Sequence, residues 1–299
     1  MSDPLTEPTP IEESALPDAA LRPEPAAAQT RRGRVREAIV AHARLLEADS
    51  TTWFAAIVSA IVLTVSRYHA STGEYAQLWG RFSAKGGLYA VMADSIGLHR
   101  LAGWLTIATG PTAEYLYWFL ASVVLFAVIP LAAAAVTPGV RIAELGVGAG
   151  DWRYGLKATA LLYTVMLPFV VGASSNSEFT SQYPMCSGAA STWRALLVFE
   201  LCYASYFIGW EFIYRGLLCN GLYPRIKAAA ILLPALPFAV MHAGKPEAES
   251  YGAILAAIAL GVMAVRARSF WYGAVLHASV AATMDALALT HTHRWPTHW

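Results

Sequence analysis

Five ionisable side chains stand among apolar neighbours in the last third of the chain: Glu211, Arg215, His242, His277 and Asp285. A charged group at membrane depth costs about 2.5–3.5 kcal/mol on insertion scales, so each of these needs a partner or a task. Glu211 and Arg215 are four apart in WEFIYRGLL, which puts both on one helical face and predicts an ion pair. Charge balance alone is a weak reason to keep such a pair, because two leucines would be cheaper. His242 closes the run PFAVMH, and Gly244 and Pro246 just beyond it should end the helix and leave the imidazole beside a polar turn. A snorkelling or purely structural histidine would fit the same place. His277 lies nine residues past Arg268, about 13 Å along a helix by its 1.5 Å rise, and Asp285 follows two turns later. On the plainest reading these two form a packing hydrogen bond worth about 1 kcal/mol.

Together the five can do more. A carboxylate and an imidazole can hold and deprotonate a water, and a second imidazole can donate to the oxyanion that forms when a peptide carbonyl is attacked. Two histidines and a carboxylate can also bind zinc, here His242 and His277 with Glu211, Glu249 or Asp285. The sequence contains no HExxH, so zinc lacks its most specific signal and no cofactor is certain.

The elements that must position these residues are membrane helices. Of 299 residues 57% are hydrophobic and only 14% charged, and the mean hydropathy is +0.45, which makes the lipid bilayer the solvent. A net charge of +1 gives no field for nucleic acid. Cys186, Cys202 and Cys219 form no CxxC pair and suggest neither a disulfide framework nor a thiolate site.

About seven apolar runs approach the roughly 20 residues a spanning helix needs: 52–68, 114–136, 156–173, 193–218, 228–242, 251–265 and 270–289. An all-α polytopic bundle follows. The segment from His69 to Pro111 has room for an interfacial helix. Arg141, Arg153, Arg225, Lys227, Arg266 and Arg268 fall in loops on one side if there are seven spans, together with Arg31, Arg32, Arg34 and Arg36, whereas Ser174–Thr192 has no Lys or Arg. That bias predicts a cytoplasmic N-terminus. Residues 1–36 read as a disordered tail, 37–192 as an N-terminal transmembrane part, 193–290 as the catalytic core and 291–299 as a C-terminal tail.

The order and spacing of these motifs resemble the CPBP family of intramembrane proteases, which includes the type II CAAX prenyl endopeptidases and bacteriocin-processing or immunity proteins. That family carries EExxxR on one span, FxxxH on the next and HxxxN or HxxxD on a later one. Glu211 and Arg215 match the second Glu and the Arg, Phe238 and His242 match the second motif, and His277 opens the third. Two positions depart: Trp210 stands for the first Glu, which looks like the water-activating base in the family, and Ala281 for the oxyanion partner. The chain is similar to a variant branch reading WEFxxRG, HxGKPxxE and Hx7D, in which Glu249 and Asp285 become candidate replacements.

The resemblance implies an intramembrane endopeptidase, a metalloprotease if zinc is present, and the expected cytoplasmic N-terminus fits a bacterial inner membrane. In it Glu211 and His242 activate a water, His277 stabilises the oxyanion, and Arg215 and Asp285 orient them. The substrate would be a membrane-associated peptide or protein entering laterally. The alternatives are an inactive adaptor or immunity-type protein on the same fold and a small proton-coupled transporter, although no internal repeat supports the transporter.

Overall fold

A computed structural model describes residues 48–73 and 111–299. The N-terminal tail, with Arg31, Arg32, Arg34 and Arg36, and nearly all of the 69–111 segment lie outside the described residues. Among the described residues every regular element is helical.

Six helices are long and apolar enough to cross a membrane: α1 (Ser50–His69), α2 (Thr112–Val136), α3 (Trp152–Ala173), α5 (Trp193–Ile226), α7 (Glu247–Ala267) and α8 (Trp271–His291). The short α4 (Ser177–Gln182) and α6 (Ala229–Val240) complete the set. Starts are set by short polar side chains at the N-cap, where they take up otherwise unpaired amides. The carboxylates of Asp49 and Asp151 accept from Thr51 N and Tyr154 N, and the Thr192 hydroxyl accepts from Ala195 N. Large apolar side chains face outward, among them Leu161 and Phe169 of α3, Leu201 of α5 and Leu255 of α7. A water-soluble protein would not leave so much exposed, and lipid covers it here.

The fifth apolar run, 228–242, is not a full crossing. It is broken into Ala229–Leu232 and Ala235–Val240 around Pro234, with Pro237 inside the second piece. Proline removes an amide and restricts the residue before it, and α6 as a whole is about 18 Å long by its rise, short of a 30 Å hydrocarbon core. The basic loops still share one end of the bundle, because α6 and α7 pack together as a hairpin that leaves and returns to the same end. Arg225 donates to Asp49 and to Glu144, the Asp151 amide donates to Ala267 O, and Trp271 Nε1 donates to Val147 O. Gly150, at φ +53, permits that approach, since a Cβ there would collide with the Ala267 carbonyl. At the other end the 174–192 connection meets the C-terminal tail, with Trp193 N donating to His298 O.

Helix α5 is central. It packs on α2 and on α8. After Glu211 it widens into a π-helix, Phe212–Asn220, all nine residues of which are buried. Such wide turns occur often at functional sites.

Candidate active site

Glu211 is the last residue of the regular part of α5, wholly buried at 0% exposure. Its Oε1 accepts from Arg215 Nη1 at 3.0 Å, as the four-residue spacing predicts, and from His277 Nδ1 at 2.7 Å. The second contact bridges 66 residues and ties α5 to α8. Room for the carboxylate comes from Gly273, one turn before His277: a Cβ at that position would run into Glu211 Oε2. Oε2 and Arg215 Nη2 have no hydrogen-bond partner among the described residues. A buried pair gains only if its remaining polar atoms are satisfied, so these two atoms mark a place where structure alone is a poor explanation.

The His277 ring lies flat on Phe207, 4.8 Å between centroids and 8° from parallel. That contact and the carboxylate together fix its orientation. Because a carboxylate can only accept, Nδ1 carries the proton and Nε2 keeps a lone pair. His242 follows α6 in a turn, and its Nδ1 donates to Phe238 O at 2.8 Å, which leaves the same tautomer and another free Nε2. Both imidazoles face one ring: Phe238 is 4.6 Å from His242 and 6.0 Å from His277. The Arg215 guanidinium lies 4.2 Å from the centroid of that ring.

Glu211, Arg215, His277 and His242 therefore gather around Phe238. Glu249 and Asp285 do not join them. Glu249 accepts from the Tyr183 hydroxyl at 2.6 Å, and Asp285 faces Glu200 of α5, close enough for a hydrogen bond once one carboxyl carries a proton. The two departures from the motif are apolar walls. Trp210 packs on Tyr206, Tyr214, Phe238 and the edge of His242, and Ala281 is in the core. Phe207, Gly273 and Glu200 belong to this region and were not among the expected site residues. Phe207 and Gly273 stand one turn before Glu211 and His277, a spacing that could have revealed both.

Among the described residues these donors do not assemble a zinc site. Oε1 of Glu211 is occupied by two donors, and among the described residues no three His, Cys, Asp or Glu side chains come within reach of one ion.

Residues 192–283 match the family described as Type II CAAX prenyl endopeptidase Rce1-like. Over this segment the chain resembles the core of the CPBP family. No curated protein and no solved structure matches the chain. The matched residues take in Glu211, Arg215, Phe238, His242 and His277, so the matched segment and the cluster around Phe238 coincide. Asp285 lies just past its end.

Proposed function

We propose that the chain is an intramembrane endopeptidase in which Glu211 holds His277 as a general base, with His242 as the second imidazole of the site. The observation that carries this reading is the 2.7 Å contact between Glu211 Oε1 and His277 Nδ1, with Arg215 on the same oxygen. A carboxylate on Nδ1 fixes the tautomer and orientation that present Nε2 and stabilises the imidazolium that forms in the reaction. Glu211, enclosed and already bonded twice, suits that orienting role better than the water-holding role the motif suggests.

His277 Nε2 takes a proton from a water whose other hydrogen is held by His242 Nε2. The water oxygen bonds to the peptide carbonyl carbon and the carbonyl π electrons move to oxygen. As the C–N bond breaks, the proton on His277 passes to the leaving nitrogen. His277 is the group that must meet substrate, and its side chain is 20% exposed while Glu211 is sealed. A peptide tethered to the membrane reaches such a site sideways, between helices. On this reading the basic end of the bundle faces the cytoplasm of a bacterial cell.

The enclosure of Glu211 also favours a second reading, a non-catalytic adaptor in which the polar residues lock α5 to α8. One experiment separates the two: wild type, Glu211→Gln, His242→Ala and His277→Ala are reconstituted at equal abundance with a library of membrane-anchored peptides. Loss of general-base action lowers cleavage by about 10²–10⁴-fold in Glu211→Gln and His277→Ala. Cleavage that survives all three substitutions overturns the site. Folded protein with no cleavage of any peptide supports the adaptor. A chelator added to the wild type leaves the rate unchanged if the two imidazoles work without a metal.

A further inference from the structure

The helix bundle holds a second polar cluster that no step above uses. Its centre is Lys245, in the turn between α6 and α7. Lys245 Nζ donates to the Tyr183 hydroxyl at 3.1 Å and to Met185 Sδ at 3.5 Å, and it lies over the Tyr183 ring at 4.9 Å. The Tyr183 hydroxyl donates in turn to Glu249. Lys245 also lies within electrostatic reach of Glu249 and of Asp285, which faces Glu200. Tyr183 is 2% exposed and Asp285 1%. The cluster thus draws residues from α5, α7, α8, the connection after α4 and the α6–α7 turn.

That turn carries His242. Helix α6 ends at Val240, and Gly244 is at φ +93 with open space around it, so no helix and no packing side chain at Gly244 stiffens the turn. The backbone links the two residues directly: Lys245 N donates to His242 O at 3.1 Å, and Ser250 Oγ donates to the same oxygen at 2.9 Å. The imidazole's own bond, to Phe238 O, is local to its segment and cannot set where the segment sits relative to α5 and α8. Lys245 reaches across to residues that can.

We propose that Lys245 is a positioning residue: anchored on Met185 and on Tyr183, whose hydroxyl is itself bonded to Glu249 of α7, it keeps the turn, and with it His242, registered against the α5–α8 seam where Glu211 and His277 meet. This rests on the endopeptidase reading only for its catalytic consequence; the placement of His242 is measurable without substrate.

The test is the rate at which diethyl pyrocarbonate acylates His242 and His277 in the detergent-solubilised full chain, read by mass spectrometry. In Lys245→Met the His242 rate rises about fivefold, the change one hydrogen-bonded anchor controls, while the His277 rate stays at its wild-type value. Lys245→Arg, which can still reach the Tyr183 hydroxyl, restores protection, and Tyr183→Phe loses it. An unchanged His242 rate in Lys245→Met, an equal rise at both histidines, or loss of protection in Lys245→Arg overturns the proposal. Where cleavage is measurable, Lys245→Met lowers kcat and leaves KM in place. Where wild type cleaves nothing, the endopeptidase reading fails and the labelling result still decides the role of Lys245.

Discussion

Glu211 and Arg215 are each no more than 2% exposed, so neither charge can turn to water if the other is removed. Arg215→Met should cost about 3–5 kcal/mol by stranding the carboxylate. The double variant Glu211→Gln with Arg215→Met should recover most of that loss and none of the activity. Thermal unfolding in detergent beside a cleavage assay checks both. Gly273→Ala makes a sharper case, because helix propensity alone would reward it with about 1 kcal/mol. The intruding methyl instead displaces the Glu211 carboxylate, and crowding of this kind costs about 1–3 kcal/mol. A lower melting point together with reduced cleavage is the expected result. The ion pair was readable in the sequence because a four-residue spacing is a local fact. The Glu211–His277 bond, joining residues far apart in the chain, could be anticipated only through the motif order. Glu200 was passed over although it violates the same rule that singled out Asp285, an acidic side chain in an apolar helix.

Helices α1 and α5 are tied at one end by Arg225, which donates to Asp49 and Glu144 and whose Nη2 donates to the Thr51 hydroxyl. At Asp49 burial opposes the charge, but hydrogen bonds from Arg225, Thr52 and the Thr51 amide outweigh it and hold the carboxyl at about 2, below its ordinary 3.8. A depressed carboxyl contributes stability that is present above its unfolded value and fades as pH falls through the folded one. Asp49→Asn keeps the helix cap and removes the charge. Its loss at neutral pH should be at most about 1 kcal/mol, since the side chain is 45% exposed and water screens the pair. The gap between variant and wild type should close between pH 4 and pH 2, which melting curves across that window will show. Among the helices, α6 was the least legible. Its hydropathy reads as a span, yet Pro234 and Pro237 cut it short and bend it into the turn that carries His242. Hydropathy measures how apolar a segment is and carries no information on how far its backbone bonds continue.

At the scale of the whole molecule, membrane residence and the all-helical class could be read from composition, because the bilayer admits few backbone solutions. The loops that meet at one end of the bundle were grouped by the distribution of Arg and Lys, and hydrogen bonds between those loops place them together. Cysteines introduced at Gly148 and at Ser187 should therefore react with a membrane-impermeant maleimide from opposite faces of sealed vesicles. Reaction from the same face would remove the topology. The clusters around Phe238 and Lys245 were less legible, since turns and connections such as Tyr183 and Lys245 have no periodicity to betray their neighbours.

The wholly buried π-helix Phe212–Asn220 has a consequence for how this chain tolerates change. An ordinary membrane helix shows one face to lipid, so its substitution tolerance rises and falls every three to four positions. Along these nine residues no position faces lipid. Saturation mutagenesis should find an unbroken block of intolerance there, flanked by periodic tolerance in the first half of α5, where Leu197 and Leu201 are exposed.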